Sequence, residues 1–262
     1  MKVTVISNTP IGGANYRLEV AVSGDCVPLP GQFCMLQANV SGFDPLLKRP
    51  ISIADFSVGR MSFAYKVVGR GTQIMTTFQP GHTIDILGPL GTGFTLHAEP
   101  AVLIGGGVGI APLLLLARRL IEQGTPVTVL LGAAIEADVV LRQEFAALPI
   151  DLRVATLDGS AGTQGFVTGL IADQELAGKA VYCCGPDPML RAIAPMAHQH
   201  GAAFCELSLE AHMACGIGVC LGCVVDTFDA ENTVSRQRVC KDGPVFSSEV
   251  LGYHLQGVGS VQ

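Results

Sequence analysis

The stretch AVLIGGGVGIAP, residues 101–112, decides the fold class of this 262-residue chain. Residues 101–104 predict a short apolar strand, and residues 111–123 predict a helix that Gly124 stops. The glycines between them permit a tight turn and let a pyrophosphate approach the helix N-terminus, whose free N–H groups attract anions. The candidate dinucleotide-binding residues of this turn are Gly105, Gly106, Gly107 and Gly109.

The turn departs from the common G-x-G-x-x-G pattern, because Pro112 stands where the third glycine would come. A proline suits the first turn of a helix, where its missing N–H costs nothing. The difference favours a variant nucleotide-binding geometry over a generic dinucleotide fold. A compact strand-to-helix turn without a ligand is the alternative interpretation.

The residues that follow alternate between predicted strands and predicted helices. Strands are predicted at 127–131, 151–156, 180–184 and 203–207, and helices at 139–147 and 188–199. Alternation of this kind predicts a parallel sheet that helices cover on both faces.

A second nucleotide-site candidate is CCGPDPML, residues 183–190, at the end of a predicted strand. Ligands of open α/β sheets bind at the carboxyl ends of the strands. We therefore expect Cys184, Gly185 and Pro186 to lie near a nicotinamide ring. A lone cysteine in a strand is otherwise better explained as a core residue.

The loop after the second strand bears on which nicotinamide cofactor is used. It contains Glu136 and Asp138, and no lysine or arginine precedes Arg142. The 2′-phosphate of NADPH requires a cation at such a position, whereas an acidic residue suits the ribose hydroxyls of NADH. The sequence therefore favours NADH.

The first 95 residues or so predict β-structure of another kind. Short segments rich in β-branched and aromatic residues are separated by turn signals such as Pro30-Gly31 and Pro80-Gly81. The predicted strands are 16–22, 33–38, 51–56, 61–68 and 83–87. Several short strands at this spacing predict a small closed barrel.

Two motifs in this barrel carry candidate flavin-binding residues. RPIS, residues 49–52, starts a predicted strand, where an arginine can clamp a pyrophosphate and a serine can reach a flavin ring nitrogen. KVVGRGT, residues 66–72, is predicted as a strand running into a turn whose N–H groups and hydroxyl cradle phosphate. A surface arginine before a strand is the plainer explanation of the first motif alone. The Gly-rich segment 88–94 fits an interdomain linker better than a binding loop.

The cysteines of the last 55 residues or so point to a metal centre. CGIGVCLGC, residues 215–223, contains C-x4-C-x2-C, and 16 residues separate Cys223 from Cys240. This spacing is typical of plant-type 2Fe-2S ligands, and the interleaved glycines let backbone N–H groups donate to the sulfurs. A structural zinc site usually has paired C-x2–4-C knuckles and fits the spacing poorly. The cysteines predicted to be small buried hydrophobes are Cys26, Cys34, Cys183 and Cys205.

Composition excludes several classes of protein. The net charge of −6 and the lack of basic runs exclude an ordinary nucleic-acid binder. The mean hydropathy of +0.45 raises the question of a membrane span, but the longest uncharged stretch, 100–117, contains four glycines and an internal proline. The N-terminus lacks the apolar core of a signal peptide. We therefore expect a cytoplasmic protein with no membrane partner, whose nine cysteines form no disulfides.

In this order the motifs resemble the ferredoxin–NADP reductase superfamily. More specifically, SLEAHMACGIGVCLGC, residues 208–223, is very similar to the cluster segment of the electron-transfer subunit of NAD-dependent dihydroorotate dehydrogenase, an iron–sulfur flavoprotein. The resemblance covers essentially the whole chain. The fold that it implies is a β-barrel FAD domain at 1–97, a Rossmann-like α/β NAD domain with a parallel sheet at 98–207, and a small 2Fe-2S module at 208–262.

The resemblance also assigns residues to the cofactors. The residues expected to bind FAD are Arg49, Pro50, Ile51, Ser52, Lys66, Val67, Val68, Gly71 and Thr72. The residues expected to hold the 2Fe-2S cluster are Cys215, Cys220, Cys223 and Cys240. NAD is the third cofactor, at the two glycine-containing motifs already described.

The function implied by the resemblance is electron transfer in pyrimidine biosynthesis. A partner catalytic subunit containing FMN oxidises dihydroorotate to orotate, and this chain passes the electrons through the 2Fe-2S cluster and FAD to NAD+. Two copies of each subunit are expected to form a heterotetramer. The chain has no nucleophile–histidine–acid arrangement, so no catalytic acid or base is expected. Glu210 is explained best as a solvated carboxylate, with a role in gating the flavin or contacting the partner as the alternative.

Two other functions remain open on sequence alone. The chain could be the flavin and iron–sulfur subunit of another complex, of the sulfhydrogenase or NADH-dependent ferredoxin–NADP reductase type, since fold and cofactors are shared. A nucleotide-sensing module whose cysteines hold zinc is an alternative of a different class.

Overall fold

The N-terminal part of the chain folds into a closed antiparallel barrel. The computed structural model describes residues 1–23, 25–38, 44–171 and 176–253. The barrel strands are β1 (Lys2–Gly12), β2 (Asn15–Ala21), β3 (Phe33–Leu36), β4 (Arg49–Ser57), β5 (Arg60–Lys66) and β6 (Thr83–Leu90). They close in the order β1-β2-β5-β4-β3-β6. Five strands match predicted ones, and β1 was missed because its second half, SNTPIG, lacks the alternation of apolar and polar residues.

The segment after β5 differs from its prediction. The strand ends at Lys66, and Arg70–Met75 forms a short helix, α1, where a strand and a phosphate-cradling turn were predicted. The hydroxyl of Thr72 donates to the carbonyl of Gly69 at 3.0 Å and accepts the N–H of Val68 at 3.0 Å. Thr72 therefore uses its hydroxyl to start a helix, so the predicted local geometry is wrong, and the binding of phosphate by these residues stays a prediction.

A predominantly parallel sheet follows the barrel. Its strands are β7 (Ala101–Gly106), β8 (Val127–Ala133), β9 (Asp151–Thr156), β10 (Thr163–Gln164), β11 (Ala180–Cys184) and β12 (Phe204–Ser208). The helices are α2 (Ala111–Glu122), α3 (Arg142–Ala146), α4 (Thr168–Ile171) and α5 (Asp187–Gln199). The sequence located β9 and β11 at their observed bounds, and Gly124 ends α2 at φ +80° as expected.

One helix is shorter than predicted. The prediction for residues 139–147 is wrong over its first three residues, because Leu141 adopts φ +58° and α3 begins only at Arg142. A 3-10 turn, Glu136–Asp138, occupies the space before it. This turn contacts the barrel, as described below.

The cysteine-rich C-terminal segment contains β-structure of its own. It contains a hairpin, β13 (Val224–Phe228) and β14 (Val234–Arg238), and a further strand, β15 (Val245–Ser247). β15 pairs antiparallel with β12 and completes a seven-stranded sheet of order β10-β9-β8-β7-β11-β12-β15. The C-terminal segment therefore shares the core of the parallel sheet, and Phe246 and Val239 are buried within that core.

The barrel and the sheet share an apolar interface. Ala54 of β4 and Ala64 of β5 belong to the same buried cluster as four leucines of α2, namely Leu113, Leu114, Leu116 and Leu120. At the edge of this interface Arg118 of α2 pairs with Asp55 of β4 at 3.2 Å. The fold class predicted from the sequence is confirmed. In the described part of the chain, no helix has the length and apolar content that crossing a membrane would require.

Candidate functional site

The structure brings the two candidate nicotinamide motifs together. Cys184 lies level with Gly105 on one neighbouring strand and with Ser208 on the other. A Cβ atom at Gly109 would stand 2.7 Å from the Cα of Gly185, so the backbones of the two motifs pack directly. Only glycine permits this approach.

The middle of the glycine turn faces open space. Gly107 adopts φ +53°, and a Cβ atom there would meet no heavy atom within 4 Å. Gly106 packs beneath Pro186, whose Cδ would lie 3.0 Å from an added Cβ. Backbone that is exposed next to the N-terminus of α2 fits a bound pyrophosphate. That Gly105–Gly109 and Cys184–Pro186 bind NAD stays a prediction.

Cys184 has the chemistry of a buried, neutral thiol. Its exposed fraction is 3%. Burial raises the pKa of the thiol to about 12, and the nearby carboxylate of Glu210 adds to the shift. Cys184 therefore has no thiolate at neutral pH and can contribute only shape and polarity beside a nicotinamide ring.

Glu210 is exposed, as expected for a solvated carboxylate, but neighbouring protein atoms partly desolvate its carboxyl group. The residue as a whole is exposed, yet burial of its carboxyl raises the pKa of Glu210 above the usual value. The carboxyl lies close enough to Cys184 to affect its titration. Glu210 thus stands between the end of β11 and the cluster segment.

Of the two acidic residues in the loop whose lack of a cation favours NADH, Asp138 is turned toward the barrel. Its carboxylate accepts from the amide of Asn15 at 3.0 Å and pairs with Lys66 at 3.3 Å. Asp138 therefore joins the two parts of the molecule. Lys66, predicted to bind FAD, is engaged in the same contact.

A different acidic residue, Asp158, stands at the carboxyl edge of the sheet. It follows β9, and its N–H donates to the carbonyl of Ala134 at 3.3 Å. Ser160 donates to its carboxylate at 2.6 Å and lowers the pKa of Asp158. Asp158 is not among the predicted site residues, although an acidic residue two positions after a predicted strand is a usable signal.

The flavin candidates meet in three dimensions. A side chain at Gly71 would overlap the guanidinium of Arg49, so the arginine lies flat against the start of α1. Arg49 also donates to the carbonyl of Leu47 at 2.6 Å. The structure therefore brings together the motifs at 49–52 and 66–72, which are distant in sequence. Val68 is 80% exposed, and Pro50, Ile51, Ser52 and Val67 are half-buried.

A groove connects the barrel to the cluster segment. Its volume is about 410 Å³, within the range of ligand pockets. One wall contains Arg49 and Pro50, and the other contains His212, Met213 and Ala214, directly before the first cluster cysteine. These walls fit a flat aromatic ligand with an anionic group, which is the chemistry of a flavin nucleotide.

The four cluster cysteines fall into two pairs. Cys215 and Cys220 share a loop, where the Cys220 N–H and then the Ile217 N–H lower the pKa of Cys215 to about 6. Cys223 and Cys240 are buried, and the N–H of Cys240 lies 3.4 Å from the sulfur of Cys223. No three His, Cys, Asp or Glu side chains among the described residues are grouped around a single ion position. Two pairs of thiols, each held by N–H donors, fit a two-iron cluster.

The other cysteines behave largely as predicted. None of the nine, all of which lie in the described part of the chain, forms a disulfide. Cys34 and Cys183 are fully buried, and burial raises the pKa of Cys34 to about 12. Cys26 and Cys205 are only half-buried, so the prediction of buried hydrophobes is wrong for these two.

Comparison with known proteins agrees with this geometry. Residues 103–194 match the family model described as oxidoreductase NAD-binding domain, and residues 210–252 match the iron–sulfur cluster binding domain of dihydroorotate dehydrogenase B. The chain is 41% identical over 254 residues to the dihydroorotate dehydrogenase B (NAD(+)) electron transfer subunit of Bacillus caldolyticus, covering 94% of this chain and 95% of that protein. The subunit of the same name from Listeria innocua is 39% identical over 260 residues, covering 95% and 97%.

Solved structures extend the comparison. The fold is similar to an NADH-dependent reduced ferredoxin-NADP oxidoreductase structure, with a TM-score of 0.80 and 27% identity over 98% of this chain and 94% of that one. A ferredoxin reductase of carbazole 1,9a-dioxygenase is similar in fold, with a TM-score of 0.67 and 22% identity over 77% of this chain and 66% of that one.

The state of Cys184 can be tested by alkylation. We expect iodoacetamide at about pH 8 to leave Cys184 unmodified in the folded protein, because its thiol is buried and protonated. Peptide mass spectrometry measures the modification, and the denatured protein is the control in which Cys184 must react. Rapid alkylation of Cys184 in the folded protein would contradict the assignment.

Proposed function

Because the chain belongs to the family of dihydroorotate dehydrogenase B (NAD(+)) electron transfer subunits, we propose that it receives electrons from a dihydroorotate-oxidising catalytic subunit and delivers them to NAD+. This is an oxidoreductase function within pyrimidine biosynthesis. The observation that supports it most is that one groove connects the candidate flavin site to the candidate cluster site. One wall of the groove, His212–Ala214, directly precedes the first cluster cysteine, and the opposite wall is the start of β4.

The three cofactors divide the work between one-electron and two-electron transfer. When bound, FAD exchanges electrons singly with the 2Fe-2S cluster and in pairs with NAD+. Arg49 would pair with the pyrophosphate of FAD, with Ser52 on the same strand beside its ring. The turn at Gly105–Gly109 would bind the pyrophosphate of NAD, with Cys184–Pro186 beside the nicotinamide.

The cysteines would hold the cluster in an asymmetric way. Cys223 and Cys240 are buried, whereas Cys220 is exposed. Cys223 and Cys240 would thus bind the cluster from the protein interior, and Cys220 would bind it from the surface. An exposed edge suits the entry of electrons from another subunit.

Cys220→Ser separates the two halves of the pathway. We expect the variant to lose dihydroorotate-dependent reduction of NAD+ in the complex, because the cluster is lost or altered, while NADH-to-dye electron transfer through FAD continues. Both rates are measured on protein of known flavin content. Cys26→Ser in the barrel is the matched control and retains both. Equal loss of dye reduction with FAD still bound would show that the order of the centres is wrong.

The partner surface is proposed around the exposed cluster ligand. Val219 and Leu221 flank Cys220 and are 74% and 61% exposed, and Ile217 is 49% exposed. Apolar side chains that are exposed beside a redox centre fit a subunit interface, which places the partner's centre close to the cluster. We assign this surface to the FMN-containing catalytic subunit, with two copies of each subunit in the complex. The free thiols fit a cytoplasmic location.

Val219→Asp tests this interface. Burying an unpaired carboxylate at the contact is expected to weaken association with the catalytic subunit about tenfold or more. Light scattering during gel filtration measures both the 2:2 stoichiometry and its loss. Val58→Asp, at an 88% exposed valine of the β4–β5 hairpin, is the control. If both variants assemble like the parent protein, the cluster surface is not the interface.

Asp158 is proposed to select NAD over NADP. In the sheet register, Gly106, Gly132 and Ala155 lie side by side, so the end of β9 is about 10 Å from the glycine turn. That distance suits the ribose next to the pyrophosphate, where a carboxylate accepts from hydroxyls and repels a 2′-phosphate.

Asp158→Asn is therefore expected to raise the preference for NADP about tenfold, measured as the ratio of Kd values for NAD+ and NADP+ by calorimetry. Asp151→Asn changes the same charge at the opposite end of β9 and serves as the control. An unchanged ratio in Asp158→Asn would remove this residue from nucleotide recognition.

Because the fold is shared, one alternative function is considered, that of a flavin and iron–sulfur subunit in another complex. The structure that covers 98% of this chain at 27% identity is an NADH-dependent reduced ferredoxin-NADP oxidoreductase, whereas the two dihydroorotate dehydrogenase subunits are 39% and 41% identical. Co-purification decides between them. A flavoprotein partner that oxidises dihydroorotate supports the proposal, and a larger iron–sulfur partner overturns it.

A further inference from the structure

Arg238, at the end of β14, makes an unusually complete set of hydrogen bonds. Its Nε and Nη2 donate to the two carboxylate oxygens of Asp242 at 2.8 and 3.0 Å. Its own backbone N–H donates to the same carboxylate at 2.8 Å. This bidentate pair closes the turn 238–242, which carries Cys240 at its centre.

The same guanidinium reaches across to the other cluster loop. Its Nη1 donates to the carbonyl oxygen of Gly218 at 3.2 Å. The N–H of Gly218 in turn donates to the sulfur of Cys240 at 3.1 Å. Gly218 is thus held on both sides, by Arg238 through its carbonyl and by Cys240 through its N–H.

The backbone conformation and the packing at Gly218 disfavour any side chain there. Gly218 adopts φ +80°, and an added Cβ would stand 2.9 Å from the side chain of Lys241 and 3.3 Å from Nη1 of Arg238. The turn also positions the second buried thiol, since the N–H of Val239 donates to the carbonyl of Cys223 at 2.9 Å. Arg238 and Asp242 therefore connect both cluster segments.

An N–H···S hydrogen bond favours the more electron-rich state of an iron–sulfur centre, because the donor dipole points at the sulfur. The charge of Arg238 is largely compensated by Asp242 at hydrogen-bonding distance. Its effect on the cluster should therefore act through the orientation of Gly218 and not through its charge.

We propose that Arg238 is a positioning residue for the 2Fe-2S cluster, which holds the Gly218 N–H on the sulfur of Cys240 and thereby raises the reduction potential. The proposal rests on the proposed function, in that it requires the cluster. It assigns a role to a residue outside the cysteine motif, on the hairpin that joins its third and fourth ligands.

The test compares the reduction potential of the cluster in three variants. Each purified holoprotein is titrated with reductant, and electron paramagnetic resonance measures the fraction of reduced cluster. Arg238→Lys keeps the positive charge but not the bidentate geometry, and Arg238→Gln removes the charge. Arg236→Gln is the matched control, because Arg236 lies two residues away on β14 and pairs with Asp226 at the surface. Iron and sulfide content are measured for every sample.

We expect both Arg238 variants to lower the potential by a similar amount, about a tenfold change in the one-electron equilibrium or 59 mV. The electron paramagnetic resonance spectrum of the reduced cluster is also expected to change in both Arg238 variants. The Arg236→Gln control is expected to match the parent protein in potential and spectrum. Loss of the cluster from Arg238→Lys with FAD retained also supports the proposal. If a variant fails to fold, Asp242→Glu, which keeps the negative charge but displaces the carboxylate that holds Arg238, is titrated and is expected to shift in the same direction.

Two results overturn the inference. A parent-like potential in Arg238→Lys would show that the geometry of the guanidinium does not set the potential, whether or not Arg238→Gln shifts it. An equal shift in Arg236→Gln would show a general field effect. Failure of the proposed function is recognised separately, because the parent protein itself would then contain no two-iron cluster.

Discussion

The molecule depends on one close backbone approach at the carboxyl edge of its sheet. Gly109 lies so near Cys184 and Gly185 that any side chain there would collide with backbone. Backbone cannot give way as the end of a flexible side chain can, so this contact fixes the distance between the turn after β7 and the turn after β11. The open face of Gly107 and the position of Cys184 follow from it.

The same edge leads toward the redox centres. β12 lies beside β11, and Ser208 at its end stands level with Cys184. Glu210 and the groove wall at 212–214 follow directly, and then the first cluster cysteine. Neighbouring strands of a sheet thus carry the candidate nicotinamide motif at 184–186 and the cysteine motif to one side of the molecule. The barrel completes this side by presenting Arg49 across the groove.

Much of this arrangement could be predicted from local patterns. The strand at 180–184, the end of α2 at Gly124 and the cysteine spacing are each determined by residues within a few positions of one another. Predictions failed where a local pattern had two outcomes. The sequence of residues 69–72 is compatible with a turn and also with the start of a helix. In the structure the hydrogen bonds of Thr72 stabilise the start of a helix. The sequence also left the partners of Asp138 open. In the structure its carboxylate contacts Asn15 and Lys66 of the barrel.

The sequence by itself determined the order of the three segments, the candidate cofactor residues of each, and the cysteine spacing that suits a two-iron cluster. Only the tertiary structure decided that β15 joins the NAD-binding sheet, that Arg49 lies against Gly71, and that Arg238 connects both cluster loops. The physical reason is the distance along the sequence over which each interaction acts. Capping, periodicity and ligand spacing act between near neighbours, whereas these contacts join residues that only the packing of strands brings within hydrogen-bonding distance.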